Sequence, residues 1–180
     1  MKLMIASDIH GSALYCGQML HAYEREGADR LLLLGDILYH GPRNDLPEGY
    51  APKEVIAMLN PEKENLLCVR GNCDTEVDQM VLEFPIMADY TTLMLENGRT
   101  LFATHGHLFD PDHLPPLPAG SAFAFGHIHT KHAERQGDLL ILNPGSLSIP
   151  KDGSHSYMIY ENGVFTAKTM EGEPVASVAF

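Results

Sequence analysis

The chain has 180 residues, a mean hydropathy of -0.11 and a formal charge of -12, with 12 Lys and Arg against 24 Asp and Glu. This charge argues against a nucleic-acid polymer or an anionic membrane as the main partner, because both are bound through Lys and Arg. The length suits one hydrophobic core. The three cysteines of the chain have no metal-ligand spacing, and no apolar run approaches the roughly 20 residues of a membrane span. We therefore expect a single-domain, cytoplasmic protein over residues 1–180.

The first half of the chain predicts alternating strands and helices. Three short apolar runs have the length of buried strands: residues 2–7, 30–34 and 66–69. Ser12 is a candidate N-cap for a helix that ends at Gly27, and Pro52 begins a second helix. Thr75 is predicted to cap a short third helix that ends at about Leu82.

The second half predicts mainly antiparallel strands. Three turn pairs separate strand-like runs and predict hairpins: Asn97-Gly98, Gly137-Asp138 and Asn162-Gly163. A short apolar run at 122–125 predicts one more buried strand. Together the two halves predict a mixed α/β layered sandwich. The apolar segment 175–180 could cover a sheet edge, dock on its own core or pair with a second copy of the chain, so a homo-oligomer is possible.

Five polar groups follow these strands, at the positions where layered α/β folds assemble ligand sites. They are Asp8-Ile9-His10, Gly35-Asp36, Gly71-Asn72-Cys73-Asp74, His105-Gly106-His107 and Gly126-His127-Ile128-His129. Asp-x-His and His-x-His place alternate residues on one side of an extended segment, so two ligands can face one ion. Carboxylate, amide and imidazole donors suit Mn, Fe, Zn or Co better than Ca. The set predicts a dinuclear metal site, with Asp36 as the bridging carboxylate.

The order of these motifs resembles the calcineurin-like metallophosphoesterases, and its detail is similar to the YfcE-type bacterial phosphodiesterases. The detail lies in three segments: Gly35-Asp36 with His40-Gly41-Pro42-Arg43-Asn44, Arg70-Gly71-Asn72-Cys73-Asp74, and Thr104-His105-Gly106-His107. The likeness runs from residue 8 to 129, and Asn143-Pro144-Gly145-Ser146 looks like the loop that follows in small bacterial members. The resemblance implies a four-layer αββα sandwich, with two mixed sheets packed face to face and helices outside.

The resemblance also implies a ligand set and an activity. One metal would be held by Asp8, His10, Asp36 and His129, and the other by Asp36, Asn72, His105 and His127. Mn²⁺ is the implied working metal, while the residue types also allow Zn²⁺, Fe²⁺, Ni²⁺ or Co²⁺. The implied activity is hydrolysis of a small phosphodiester by a hydroxide that bridges the two ions.

Further residues are candidates for catalysis or substrate binding. The catalytic candidates are Asp36, Asn72, Cys73 and His107, and the substrate-binding candidates are His40, Arg43, Asn44 and Asn72. Cys73 stands where many family members have a His that protonates the leaving oxygen, which favours aryl leaving groups. His107 is outside the family's ligand pattern and either contacts the phosphate or is structural. We expect Asp74 to orient a neighbouring group or to cap the helix at Thr75.

Three alternatives to a phosphodiesterase are open from the sequence. The first is a phosphomonoesterase or protein phosphatase with the same metal site. The second is a largely non-catalytic binding scaffold on the same fold, as in the small subunit of retromer, and the Cys at position 73 favours it slightly. The third is a single structural metal. A complete ligand set argues against the scaffold, which has no need of it.

Overall fold

Two mixed β-sheets form the structure, a computed structural model that describes residues 1–95 and 98–180. In these residues one sheet contains β1 (Leu3–Ala6), β2 (Arg30–Leu33), β3 (Leu66–Cys68), β9 (Ser156–Glu161), β10 (Val164–Thr169) and β11 (Pro174–Ala179). The other contains β4 (Tyr90–Met94), β5 (Thr100–Thr104), β6 (Ala122–Ala124), β7 (Lys131–Gln136) and β8 (Leu139–Pro144). The helices are α1 (Ala13–Glu26), α2 (Pro52–Leu59) and α3 (Glu76–Gln79), with a 3₁₀ turn at Asn60–Glu62.

The parallel strands lie together in each sheet, at one side of the first sheet and in the middle of the second. The first sheet runs β11-β10-β9-β1-β2-β3, and β1, β2 and β3 are parallel. The second runs β4-β5-β6-β8-β7, and β5, β6 and β8 are parallel. The flanking strands pair antiparallel, as the hairpins predicted. Because parallel neighbours end at the same edge, the polar groups that follow β1, β2, β3, β5 and β6 are gathered there.

Local sequence signals account for most element boundaries. The Ser12 hydroxyl accepts the Tyr15 N–H at 3.3 Å, and Gly27 ends α1 with φ of 61°, as predicted. Thr75 caps α3 in a capping box with Asp78, but the helix ends at Gln79 and so is shorter than predicted. The turn that follows still carries the Leu82 N–H to the Asp78 carbonyl oxygen at 3.0 Å, and Leu82 is buried in the core.

The predicted hairpins are present where the structure describes them. Asn162 and Gly163 have φ of 50° and 78°, the positive values that a type I′ turn requires. β4 and β5 pair antiparallel as expected. Of the predicted Asn97-Gly98 turn between them, Asn97 lies outside the described residues.

The two sheets enclose the central core. Leu3, Ile5 and Leu32 of the first sheet meet Leu101 and Leu140 of the second, and all five side chains are at most 1% exposed. Such burial is the main favourable term in folding. On the outer face of the first sheet, the same strands turn alternate residues toward α1 and α2.

The outer face of the second sheet is covered differently from the first. The resemblance predicted flanking helices, and the two-sheet sandwich it implied is confirmed. In the part of the chain that the structure describes, however, every α-helix precedes β4. Loop 105–121 covers this face instead and packs Phe109 and Leu117 on an aromatic cluster around Phe123. Prolines interrupt this loop, and proline cannot continue a helix: Pro111, Pro115, Pro116 and Pro118.

The C-terminal segment forms β11 at the edge of the first sheet. It pairs antiparallel with β10, and Ala176, Val178 and Phe180 pack against the central core. Of the predicted outcomes for this segment, the structure shows docking on the chain's own sheet. None of the described helices is both long and apolar enough to cross a bilayer.

The last residue of α1 ties that helix to the first sheet. The Glu26 carboxylate accepts hydrogen bonds from the Tyr157 hydroxyl at 2.7 Å and the Lys168 ammonium at 2.8 Å, and Lys2 lies 3.2 Å away. Burial alone raises the pKa of Glu26, but the hydrogen bonds from Lys168, Tyr157 and Lys2 outweigh it and lower the pKa to about 2. The carboxylate is therefore ionised throughout the physiological range.

Glu26→Gln should flatten the acid dependence of stability. The pKa of Glu26 is lowered in the folded chain, so its contribution is present above the ordinary value of 4.5 and is lost as the pH falls toward 2. In urea unfolding experiments, the free energy of unfolding should fall more steeply in the parent than in the variant as the pH is lowered from 4.5 to about 2. Glu24→Gln, an exposed change on the same helix, is the matched control and should keep the parent slope. Equal slopes for parent and Glu26→Gln would contradict the assignment.

Candidate metal centre

The structure brings all seven predicted metal ligands together at the shared edge of the two sheets. Asp8 and His10 follow β1, Asp36 follows β2, and Asn72 follows β3. From the second sheet, His105 follows β5, while His127 and His129 follow β6. They form two clusters of side chains, with Asp36 between them.

The first cluster contains Asp8, His10 and His129. The His129 Nε2 lies 3.1 Å from Asp8 Oδ1, and the His10 Nε2 lies 3.4 Å from the same oxygen. The two Nε2 atoms are 3.3 Å apart. The His10 Nε2 also lies 3.8 Å from Asp36 Oδ2, which links this cluster to the second.

The second cluster contains Asn72, His105 and His127. The His105 Nε2 lies 3.3 Å from Asp36 Oδ2 and 3.1 Å from Asn72 Oδ1. The His127 Nδ1 lies 3.3 Å from the same His105 nitrogen. Asp36 Oδ2 therefore faces an imidazole from each cluster, which is the position that a bridging ligand needs.

Backbone carbonyl groups fix the orientation of three of these imidazoles. The Nδ1 atoms of His10, His105 and His129 lie 2.7–3.0 Å from the carbonyl oxygens of Tyr39, Leu34 and Ile149. A carbonyl oxygen only accepts, so each Nδ1 carries the proton and donates it. Each Nε2 lone pair is then free to face the centre, which is the arrangement that metal-ligating histidines use.

The backbone at the site is held in an unusual conformation. Among the described residues, six other than glycine have a positive φ, and five belong to the predicted ligand set: Asp8, His10, Asp36, His127 and His129. The left-handed region costs an ordinary residue about 1–3 kcal/mol and persists where surrounding contacts enforce it. Such strain clusters at functional sites. Single-sequence patterns carry no signal for it.

A buried carboxylate, Asp74, positions Asp36, the predicted bridging residue. Its oxygens accept the backbone N–H groups of Asp36 at 2.8 Å, Ile37 at 2.9 Å and Gly71 at 2.7 Å. The Cys73 N–H donates to Asp36 Oδ1 at 2.8 Å, which leaves Asp36 Oδ2 to face the histidines. Of the two expected roles for Asp74, orientation of its neighbours is confirmed and capping of α3 is wrong, because Thr75 and Asp78 form the capping box of that helix.

Two serines that the sequence reasoning missed hold Asp8. The Ser146 and Ser148 hydroxyls both donate to the Asp8 carbonyl oxygen, at 3.1 and 3.0 Å. The His127 N–H donates to Asp8 Oδ2 at 3.1 Å and joins the two sheets. The Asn143-Pro144-Gly145-Ser146 motif was the signal that could have found the first of these serines.

Electrostatics keep both carboxylates ionised. Burial raises the pKa of Asp8 and of Asp36, but hydrogen bonds from neighbouring histidines outweigh it and lower both values. Burial likewise opposes the charge on His105, whose pKa Asp36 and Asp8 raise to about 9. The cluster thus offers two negative charges beside oriented imidazoles, and a cation that binds there would replace the proton on the His105 Nε2.

This donor set fits divalent transition metals. Oxygen and imidazole donors are combined, and groups such as Asp8, His10 and His129 place their ligand atoms within 4.8 Å of one another. The same proximity holds for Asp8, Asp36 and His105. Two ions with Asp36 between them are compatible with these positions.

A cavity of about 410 Å³ opens over the clusters. It is lined by His10, Asp36, Asn72, His127 and His129 together with Cys73, Gly41, Pro42, Arg43, Asn44, Ile128 and Lys151. Three of the four predicted substrate-binding residues, Arg43, Asn44 and Asn72, therefore line it. Lys151 was not predicted, since it follows no strand-end motif.

The two remaining candidates lie elsewhere. His40 does not line this cavity, and its ring packs against Tyr39 and Tyr50 while its carbonyl oxygen accepts the Asn44 amide at 2.7 Å. It shapes the loop that carries Asn44. His107 lines a second, adjoining cavity, and burial, followed by the charge of His105, lowers its pKa to about 4.

Asp74→Ala should weaken metal binding without removing a ligand. Three buried N–H groups lose their acceptor, each at about 1–3 kcal/mol, so the loop that carries Asp36 loosens. We expect the Mn²⁺ dissociation constant to rise by about tenfold or more, measured by calorimetric titration. Asp78→Ala removes the carboxylate of the α3 capping box but touches no ligand, and it is the matched control. The same Mn²⁺ affinity in both variants would show that Asp74 has no positioning role.

Comparison with known proteins gives one family and several related structures. Residues 1–163 match the family model of the calcineurin-like phosphoesterase superfamily domain. The chain is 48% identical over 176 residues to Phosphodiesterase YfcE of Escherichia coli strain K12, which covers 97% of this chain and 95% of that protein. The solved structure of YfcE, a phosphoesterase from E. coli, matches with a TM-score of 0.97 and 99% coverage of both chains.

More distant structures share the fold. An archaeal phosphodiesterase matches with a TM-score of 0.63 at 19% identity and covers 100% of both chains. Wild-type Vps29 of Entamoeba histolytica, complexed with Zn²⁺, matches with a TM-score of 0.61 at 15% identity and 99% coverage of both chains. At these identities the likeness concerns the fold alone.

Proposed function

The chain belongs to the calcineurin-like phosphoesterase family. We propose that it is a metal-dependent phosphodiesterase, which hydrolyses a small diester bound in the cavity above Asp36. The observation that carries this proposal is the placement of Asp36 Oδ2 between His10 and His105, at the floor of an open cavity. The 48% identity to a phosphodiesterase over nearly the whole chain supports the diester.

The working centre in this proposal contains two divalent ions, with Mn²⁺ as the favoured metal. Asp8, His10 and His129 would hold one ion, and Asn72, His105 and His127 the other, with Asp36 shared. When bound, such ions neutralise phosphate charge and lower the pKa of water, so that a nucleophile is available near neutral pH. The Nε2 atoms that face the centre and the ionised carboxylates support this assignment.

The chain's own residues would bind and orient the diester. Arg43 and Lys151 line the cavity and supply positive charge in a chain whose net charge is -12. Asn44 offers a neutral amide beside them. The Asn72 amide faces His105 with its oxygen and Cys73 with its nitrogen, so it is held in one orientation. These groups would offset the repulsion of an anionic substrate by the rest of the protein.

Cys73 sets the class of leaving group in this proposal. It lies in the cavity, 8% exposed, and its thiol pKa is raised by burial and by the nearby charge of Asp36. A thiol that holds its proton so firmly is a poor general acid near neutral pH. Substrates that leave as stable anions, such as aryl diesters, need no such acid. A non-catalytic scaffold is less well supported, because it has no use for a complete, strained ligand set.

Diester hydrolysis should depend on Mn²⁺ and on Asp36. We expect bis(4-nitrophenyl) phosphate to be cleaved with Mn²⁺ and not after chelation, and 4-nitrophenyl phosphate to be cleaved far more slowly. Asp36→Ala removes the shared carboxylate, so activity should fall by at least about a hundredfold and metal content below two ions per chain. Release of nitrophenolate measures the activity, and elemental analysis measures the metal content. Faster monoester cleavage would favour the phosphomonoesterase, and a fully active Asp36→Ala would refute the site.

Cys73→Ala should leave the dependence on the leaving group unchanged. If the thiol donates no proton, the slope of log kcat/KM against the phenol pKa is the same in variant and parent across a series of aryl diesters. Cys68→Ala, a thiol outside the cavity, is the control for loss of a sulfur. A rate loss that grows with the phenol pKa in Cys73→Ala only would identify the thiol as the acid.

A further inference from the structure

A second cavity, of about 500 Å³, adjoins the metal centre on the outer face of the second sheet. His127 and Ile128 line both cavities, so the second opens directly beside the candidate ligands. Its volume lies within the range of about 300–1,000 Å³ that small-molecule sites occupy. A diester has two arms, and the second cavity is where an arm that points away from Arg43 and Lys151 would lie.

The second cavity has an apolar floor. Phe125 and Ile141 form it, each 2% exposed, and the His132 ring stacks on Phe125 at a centroid distance of 6.2 Å. The His107 ring stands on the wall next to the centre. These faces offer a surface for a ring-sized apolar group.

The rim of the second cavity is acidic. Asp110, Asp112 and Glu134 line it, and no Lys or Arg occurs among its described lining residues. The Asp110 carboxylate accepts the N–H groups of Asp112 and His113 and so holds the loop. Asp112 and Glu134 are exposed, and among the described residues the Glu134 carboxylate pairs with the His132 Nδ1 at 3.8 Å. Their charges are therefore available to a ligand.

The two cavities thus differ in charge on either side of the centre. Arg43 and Lys151 lie in the first, while three carboxylates lie in the second. An arm that carried its own negative charge would be repelled from the second cavity. A positive charge next to aromatic faces and carboxylates would be attracted.

We propose that this second cavity is a subsite for one ester arm of the substrate, and that it selects an apolar, ring-sized arm with a positive charge. The proposal rests on the proposed phosphodiesterase function and specifies its substrate class. Glu134 and Asp112 are the residues that would determine this specificity, since they supply the charge at the rim.

Three mixed diesters test the subsite. Each has a 4-nitrophenyl leaving arm, and the second arm is 4-(aminomethyl)phenyl, 4-methylphenyl or 4-carboxyphenyl. With Mn²⁺ present, kcat/KM should fall in that order. Glu134→Gln should reduce the preference for the cationic arm over the anionic arm by about two- to fivefold, the worth of one exposed charge pair. Glu134→Lys should reverse the preference. Glu24→Gln, on α1, is the matched control and should keep the parent ratio.

A binding experiment separates this proposal from the proposed function. In the isotope-labelled, Zn²⁺-loaded chain, benzylammonium should shift the amide resonances of Phe125, His132 and Glu134, while benzoate should not. Equal kcat/KM for the three diesters, or the same ratio in Glu134→Lys as in Glu24→Gln, would overturn the subsite even if all diesters are cleaved. If no diester is cleaved, the proposed function fails, and the titration alone decides whether this cavity binds the cation.

Discussion

The rest of the site depends on the hydrogen bonds that the buried carboxylate of Asp74 accepts. This carboxylate accepts three backbone N–H groups and joins the loop after β2 to the loop after β3. The two loops are so close that a Cβ on Gly71 would overlap the Asp36 carboxylate. Asp36 is thus fixed between two histidines from different sheets, and it cannot move without breaking this network.

The second sheet completes the site through equally rigid connections. Two of its histidines, His105 and His129, are oriented by hydrogen bonds to the backbone carbonyl groups of Leu34 and Ile149. The Asp8 carbonyl, held by two serines, and the Asp8 carboxylate, bonded to the His127 N–H, connect the sheets at their shared edge. The left-handed backbone at five of these residues is the free-energy cost of the arrangement, and the packed sandwich below offsets it.

Much of the fold and the position of the site followed from local signals in the sequence. Caps at Ser12 and Thr75, the turn glycines and the short apolar runs predicted most elements. The strand-end motifs predicted which side chains meet, because parallel strands end together. The end of α3 at Gln79 was missed, because local patterns predict the ends of an element less well than its presence. The contacts of the site that could not be predicted are long-range hydrogen bonds. Ser148 and Asp74 contact backbone groups that are distant in sequence, and no local pattern encodes such contacts.

The loop that covers the second sheet begins at a candidate metal ligand, His105, and ends at the start of β6. Its inner residues pack on an aromatic face, while its outer residues form a wall of the adjoining cavity. No helix has to be repacked when such a loop changes length or sequence. The candidate ligands therefore belong to the strand ends, whereas the wall of the adjoining cavity belongs to the loop beside them. The sequence of that loop can change, and with it the shape and charge of the cavity, while the ligands stay in place.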